Sequence, residues 1–543
     1  MNKLKLNILS LGLLCFGITG CSESYLDVES TTNVTTENYY KTIDDADRAL
    51  IGCYDGWQCT TSNGSLSIYV ASQVMSDECF GGTGNTDGKG YQAIDRFDIS
   101  VSSSDANLFN GTWNDYYAGI FRCNTLLQKL DQIDWKGDDQ IRKRVEGETR
   151  ALRAIMYFDL ARLFGSVPLL TGPTAENLPQ AEPAEIYKLI AEDLKFAADN
   201  IPTNAYPKAN ASTNDGRITC YAAKALLARV YLFYTGYYGA SDLVGVVTKE
   251  QALAGLEDVI SSKEYDLVPE FKNLWPAASS TPVKGKFEFV STYAGDGNIE
   301  TVLSMKFNTT QDYNGNQDGN RWLVMMGMRN TNWSPYGKGW GACTVHPKVW
   351  NAFESGDKRK TASIIDLVGE GIESSFDLKD QREYTGYTVK KYTPMAFADG
   401  TSASKADGSG DFQTSQHQDF VVVRYADVLL MAAELGSSNA QLYFDKVRSR
   451  AGLTTKEPSQ ENIMKERFVE FAFEGQRYWD LLRQGIDVAS STIAESGIEL
   501  KSGGNPDVIT ITADKIKTTK GFCQIPSTQI TLSDNVLKQN AGW

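Results

Sequence analysis

The chain predicts a mainly α protein: a scaffold of successive helical pairs, interrupted by a long irregular, loop-rich insertion that carries short β-strands. Two observations predict it. Apolar residues recur at helical spacing in two blocks, one towards each end of the 543 residues. Between them, residues 263–410 hold no strong helical stripe and are dense in Gly, Asn and Trp. A chain of this length exceeds one ordinary hydrophobic core. The expected organisation is a leader at 1–20, an N-terminal helical region at 21–262 with a candidate binding loop at 76–97, the irregular lobe at 263–410, and a C-terminal helical region at 411–543.

The leader opens with Lys3 and Lys5, followed by an apolar run over 6–18. That run is too short to cross a bilayer core and has the length of a signal-peptide apolar region. It ends in Ile18-Thr19-Gly20-Cys21, which looks like a lipobox, so Cys21 is the expected lipidation site. No later run is apolar for long enough to span, so the membrane attachment expected is the N-terminal lipid only.

Over 142–164, Val145, Leu152, Ile155, Met156, Leu160 and Leu163 share one stripe, and Ala151, Ala154 and Ala161 let neighbours approach closely. Gly165 and Pro168 then stop that helix. A second long stripe runs over 217–238 through Ala222, Leu226, Val230 and Phe233. Further helices are expected at 37–53, 105–130, 182–200 and 249–262. Near the C-terminus, 424–435, 439–451, 461–473 and 475–484 follow one another with short breaks. Pairs of this kind suggest a tetratricopeptide-like array, although no clean repeat of about 34 residues is found. Within the lobe, 287–293 and 301–307 read as strands. Residues 81–90, GGTGNTDGKG, read as a glycine-rich polar loop.

Composition excludes several function classes. Lys and Arg number 53 against 68 Asp and Glu, a net charge of −15 that repels a phosphate backbone, so no nucleic-acid partner is expected. The two histidines, His346 and His417, rule out poly-histidine metal sites. Asn314-x-Asn316-x-Asp318-Gly319 has calcium-loop spacing but carries Met325 where a bidentate Glu is needed, so it reads as a polar loop, and no metal or cofactor is expected. Of nine cysteines, Cys15 leaves with the leader and Cys21 carries lipid. The remaining odd set reads as buried free thiols.

Five stretches then carry a resemblance: ETRALRAIMYFDLARLFGSVPL at 148–169, RITCYAAKALLARVYL at 217–232, RYADVLLMAAE at 424–434, VRSRAGL at 447–453 and ERFVEFAFEGQRYWDLLRQG at 466–485. With the terminal QNAGW and the lipobox, they resemble the SusD/RagB family of outer-membrane lipoproteins, from whose usual ending the chain departs at Ala541. The resemblance implies a SusD-like fold and a non-catalytic protein at the cell surface. It implies capture of an oligo- or polysaccharide and delivery to a SusC-like TonB-dependent transporter. A surface glycoside hydrolase and a peptide-binding transporter partner are the alternatives. In RYWDLLR, spacing puts Phe473, Trp479 and Leu482 on a buried stripe, with Arg477 and Asp480 as an i, i+3 pair.

A neutral sugar is bound by stacking its apolar face on an aromatic ring and by holding its hydroxyls with amides, carboxylates or Arg. Two loop stretches offer that mixture. One spans 76–97, with Asp77, Asn85, Asp87 and Tyr91; the other spans 312–340, with Tyr313, Arg321, Trp322, Trp333, Tyr336 and Trp340. By resemblance, relatives build their glycan site from loops in these two regions. The tryptophans and Tyr336 are the expected stacking platforms; Asp77, Asn85, Asp87 and Arg321 are expected to take hydroxyls. No catalytic residue is assigned, because no glycosidase-like acid–base motif is found.

Overall fold

The computed structural model of the chain describes residues 39–62, 67–174, 176–206, 216–310 and 318–543. The leader, Cys21 and Tyr313 lie outside the described residues. Six long helices form the N-terminal part: α1 Ile43–Ser62, α2 Asn110–Lys129, α3 Asp139–Phe164, α4 Pro183–Asn200, α5 Cys220–Tyr238 and α6 Lys249–Ser261. Each packs against the next, which gives the helical-pair array. Local chemistry sets their ends. The Asp138 carboxylate accepts from the N–H groups of Gln140 and Ile141 at the start of α3, and Gly165, at φ +74°, ends it. Thr219 caps α5 through the Ala222 N–H at 3.1 Å. The second half of α3 is buried on every face, which its alanines permit. α1 and α2 cross at Gly56 and Gly119, where a Cβ on Gly56 would come within 2.8 Å of the Gly119 Cα.

From 263 to 410 the described residues hold only short helices, among them α7 Arg321–Met326, with short strands between loops. β1 Cys79–Gly81, β3 Cys343–Val345, β4 Ile364–Asp366 and β5 Tyr387–Val389 form one sheet in the order β1-β3-β5-β4, each pair antiparallel. β2 Thr301–Met305 pairs with β6 Phe420–Arg424 and so ties the lobe to the C-terminal helices. The hairpin β7 Glu495–Ser502 and β8 Asn505–Ile511 lies beyond them in sequence.

The C-terminal helices α8 Tyr425–Glu434, α9 Ala440–Arg450, α10 Gln460–Glu470 and α11 Arg477–Leu482 enclose a buried ion network. Arg424 donates to Glu474 at 2.7 Å and to Glu300 and Glu470 at 2.8 and 2.6 Å. Arg359 reaches Glu466 at 2.6 Å and Glu470 at 2.9 Å, and Arg450 pairs with both Glu300 and Glu470. Burial opposes the Glu470 charge, yet the surrounding guanidinium groups, Arg450 foremost, hold its carboxyl far below the usual range. The motif RYWDLLR serves the core, but not by the pairing expected. Arg477 makes a bidentate pair with Asp77, at 2.8 and 2.9 Å, while Asp480 binds Arg467 and Arg483. The i, i+3 spacing allowed an Arg477–Asp480 contact; a fork-shaped guanidinium is better matched by a whole carboxylate across the fold.

Candidate functional site

One strand pair brings the two loop regions side by side. Because β1 and β3 are antiparallel, the chain leaving β1 runs along the chain entering β3. The Gly82 N–H donates to the Ala342 carbonyl at 2.8 Å and the Thr83 N–H to the Gly341 carbonyl at 2.6 Å. A side chain at Gly82 would overlap the Gly341 carbonyl, so this close approach requires glycine. Past this contact opens a cleft of about 420 Å³, lined by Asp87, Tyr91, Asp105, Leu108, Met325, Arg329 and Trp340 among others.

The cleft combines an aromatic wall with polar groups held in place. Trp340 is half-buried, its backbone N–H donating to the Val324 carbonyl at 2.7 Å, and the Arg321 guanidinium lies 5.2 Å from its ring centroid. Arg321 keeps a buried Nε–H without a partner. The Asp87 carboxylate accepts from the Gly84 N–H at 2.8 Å and sits 3.3 Å from Arg329, whose Nε donates to Asp380 at 2.9 Å. Asp87 and Asn85 are exposed, and Tyr91 is half-buried. Flat apolar surface beside fixed hydrogen-bonding groups suits a neutral polyhydroxylated ligand.

Not every expected residue reaches this cleft. Asp87, Tyr91 and Trp340 line it together, and Arg321 backs Trp340. Asn85 sits on the same glycine loop with its side chain against Gly503. Trp333 is 37 % exposed but lies outside the lining, in a tight turn closed by reciprocal hydrogen bonds with Tyr336. Three residues are corrected. Asp77 is buried and its carboxylate is fully engaged by Arg477. Trp322 is 1 % exposed, packed among Tyr69, Tyr392 and Phe420. Tyr336 is buried, with its hydroxyl on Glu370 at 2.7 Å. None of the three offers a face to a ligand.

Sequence reasoning missed Arg329, Asp105, Leu108 and Met325 in the lining, and Arg382 beneath it. Arg382 is buried and donates to the carbonyls of Asn85, Asp87 and Gly88 at 2.9, 2.8 and 3.0 Å and to the Gln92 side chain at 3.0 Å. Only the glycine-rich loop, with few side chains to hold its own carbonyls, could have signalled that such a clamp is needed. Behind it, Asp95 and Glu383 form a buried carboxyl pair beside Arg96. Burial pushes Asp95 up to about 7, against the pull of Arg96. Burial and the neighbouring Asp95 push Glu383 well above the ordinary carboxyl range. The pair is sealed from the cleft. Among the described residues, no group of three or more His, Cys, Asp or Glu is placed to hold a metal ion. No described helix is long and apolar enough to cross a membrane.

Comparison with known proteins meets this geometry from two directions. Residues 369–543 match the SusD family model, and residues 24–232 match a second model described as starch-binding associating with outer membrane. SusD-like protein P2 of Formosa agariphila is 22% identical over 569 residues, covering 100% of both chains. Among solved structures, a laminarin binding SusD-like protein is 26% identical with a TM-score of 0.70, covering 93% of this chain and 100% of its own. Surface glycan-binding protein A from Bacteroides thetaiotaomicron, in complex with laminarihexaose, is 23% identical with a TM-score of 0.71, covering 92% of this chain and 100% of its own. The helical array, the inserted lobe and the buried C-terminal motifs all fall within these matches, and the chain belongs to the SusD/RagB family of outer-membrane glycan-binding proteins.

Proposed function

We propose that this chain is a lipid-anchored protein of the outer cell surface that captures an oligo- or polysaccharide and passes it to a SusC-like TonB-dependent transporter. It works by binding and carries out no catalysis, in keeping with its family. The observation that supports the reading most is the cleft itself. Trp340 and Tyr91 face Asp87 and Arg329 where two loop regions meet, so ring surface and fixed polar groups converge on one space. Family membership supports the outer-membrane setting, and the lipobox at Cys21 supports the lipid tether. A tether alone cannot aim a site, so delivery calls for a docked transporter. Two solved relatives are named for laminarin or laminarihexaose, which makes β-glucans the first ligands to try.

Calorimetric titration of the native protein and of Trp340→Ala, with ligands drawn from a glycan array, tests this. Loss of a buried aromatic anchor weakens binding by over ~2 kcal/mol, about thirtyfold. Trp340 is only half-buried, so the melting temperature should hardly move. Native-like binding by Trp340→Ala would place the site elsewhere.

A further inference from the structure

Thr83 lines the cleft in a backbone conformation that its own side chain disfavours, at φ +84°. That angle lies past the small left-handed region open to other residues, roughly +50 to +70°, and a β-branched side chain is the least suited to it. Among the described non-glycine residues with positive φ, only Thr83 and Val244 are β-branched, and Val244 stays at +48°. Glycines flank Thr83 on both sides, yet within 81–90 it is Thr83 alone that takes a positive φ. Threonine thus occupies the one position of this loop where glycine would be free of strain.

Close packing explains the neighbouring glycines and leaves the threonine unexplained. A side chain at Gly82 would meet the Gly341 carbonyl, and one at Gly84 would meet the Arg329 guanidinium and the Asp87 carboxylate. The Thr83 backbone needs no help from its side chain. Its N–H donates to the Gly341 carbonyl at 2.6 Å, and its carbonyl accepts from the Arg382 N–H at 3.0 Å and the Gln381 amide at 3.3 Å. Glycine would keep all three bonds.

What glycine would lose is the hydroxyl. Its oxygen accepts only a long bond of 3.5 Å from Arg382, and the same Arg382 nitrogen donates to the Gly88 carbonyl and the Gln92 side chain at 3.0 Å each. Among the described residues nothing accepts the hydroxyl proton, so Thr83 brings an uncommitted donor to the cleft while only 5% exposed. The other polar groups of the lining differ from it. Asp87 and Asp105 offer carboxylates that accept, and Arg329 is shared between Asp87 and Asp380. Strain of this kind persists where the surroundings impose it, and it collects at positions that hold a ligand.

We propose that Thr83 is a ligand-binding residue, whose hydroxyl donates to a sugar oxygen in the cleft and is held there at a cost in stability. This rests on the reading of the cleft as the glycan site. It adds to that site a donor fixed by the backbone on the inner side of the glycine loop.

The test reads affinity and melting together on the native protein, Thr83→Gly, Thr83→Val, Thr83→Ser and Trp340→Ala. Laminarihexaose is the first probe, with an array of neutral glycans behind it. Thr83→Gly and Thr83→Val lack the hydroxyl and should each bind about tenfold more weakly, the loss of one hydrogen bond at ~1.4 kcal/mol. Thr83→Ser, which returns the hydroxyl, should recover most of the affinity. Thr83→Gly should melt no lower than the native protein, because release of strain offsets the freedom that glycine adds to the unfolded chain. Thr83→Val keeps the shape and the strain and should melt like the native protein. Native affinity in both Thr83→Gly and Thr83→Val, with Trp340→Ala weakened, overturns the Thr83 assignment and leaves the cleft standing. A lower melting temperature for Thr83→Gly, with faster hydrogen exchange at residues 83–88, makes Thr83 a structural loop residue and overturns it too. Native-like binding by all four variants, or no binding of any neutral glycan by the native protein, overturns both readings.

Discussion

Trp322 and Trp340 carry the same indole and do opposite work, and the difference lies wholly in what surrounds each ring. Trp322 has its centroid 4.3 Å from Tyr392 and 4.6 Å from Phe420, inside the core. Trp340 rests on the aliphatic and guanidinium body of Arg321 at the edge of a cleft. The same split separates Asp77 from Asp87. A carboxylate in a polar loop reads as a ligand group from sequence alone, because its partner Arg477 lies 400 residues downstream. Sequence alone could not separate Asp87, Tyr91 and Trp340, which do line the cleft, from Asp77 and Trp322, whose partners come from distant parts of the chain. Loop composition reports what a side chain could do, and burial decides whether it is free to do it. For Asp77 the consequence is measurable. Asp77→Ala would leave the Arg477 guanidinium buried over the Phe468 ring without its bidentate partner, a loss of roughly 3–5 kcal/mol. Chemical denaturation should show that loss, and adding Arg477→Met should restore much of it. A stable Asp77→Ala protein with weakened glycan binding would return this residue to the site.

Among the elements, the long helices were legible, as were two strands of the lobe, Phe289–Ser291 within 287–293 and Thr301–Met305 within 301–307, but the strands of the sheet beside the cleft were not. The N-terminal stripe was expected at 37–53, but α1 occupies Ile43–Ser62. Thr42 and Asp45 start it, each bonding the other's backbone N–H, at 2.9 and 3.2 Å. Thr60 and Thr61 extend its far end by returning their hydroxyls to the Trp57 and Gln58 carbonyls at 2.7 and 3.0 Å. Neither device interrupts the apolar period, so the period alone could not fix the ends. β1 has three residues and pairs with a strand more than two hundred and fifty positions away, as Phe80 opposite Thr344 shows. No local pattern encodes such a pairing, yet it is what makes the cleft. The glycine loop after β1 has few side chains of its own to hold it, and Arg382 supplies the missing order. Arg382→Lys keeps the charge but cannot reach the carbonyls of Asn85, Asp87 and Gly88 together. Hydrogen exchange at residues 83–88 should quicken in that variant, and glycan affinity should fall about tenfold, the effect of loosening a preorganised loop by ~1.4 kcal/mol. Unchanged exchange in the loop would show that β1 and the hairpin hold it without the clamp.

At the scale of the whole molecule, buried carboxyl groups fall into two sets that pull stability in opposite directions with pH. Glu470 and Asp427 are buried, but facing guanidinium groups hold both far below the usual carboxyl range. Their contribution is complete above about pH 4 and is lost only in strong acid. Asp95 and Asp419 behave the other way, since burial pushes each up to about 7, with Asp296 adding to the effect at Asp419. A carboxyl group raised in the folded state binds more protons folded than unfolded between about pH 4 and 7. Stability from these groups is therefore complete near pH 4 and declines as the pH rises through about 7. Together the two sets place the melting maximum on the acid side of neutrality. Asp95→Asn isolates one of them. The amide can still accept the Gly81 N–H that Asp95 accepts at 3.3 Å, and it can donate to Glu383, which Arg96 then holds as the anion. Near pH 4 the variant should melt close to the native protein. By pH 8 it should be the more stable of the two, by on the order of 1–3 kcal/mol for a shift of this size. Some slope should survive in the variant, because Asp419 still titrates. Melting curves recorded from pH 4 to 8 on both proteins decide the matter: curves that stay parallel throughout would mean that Asp95 and Glu383 share no proton that folding must keep.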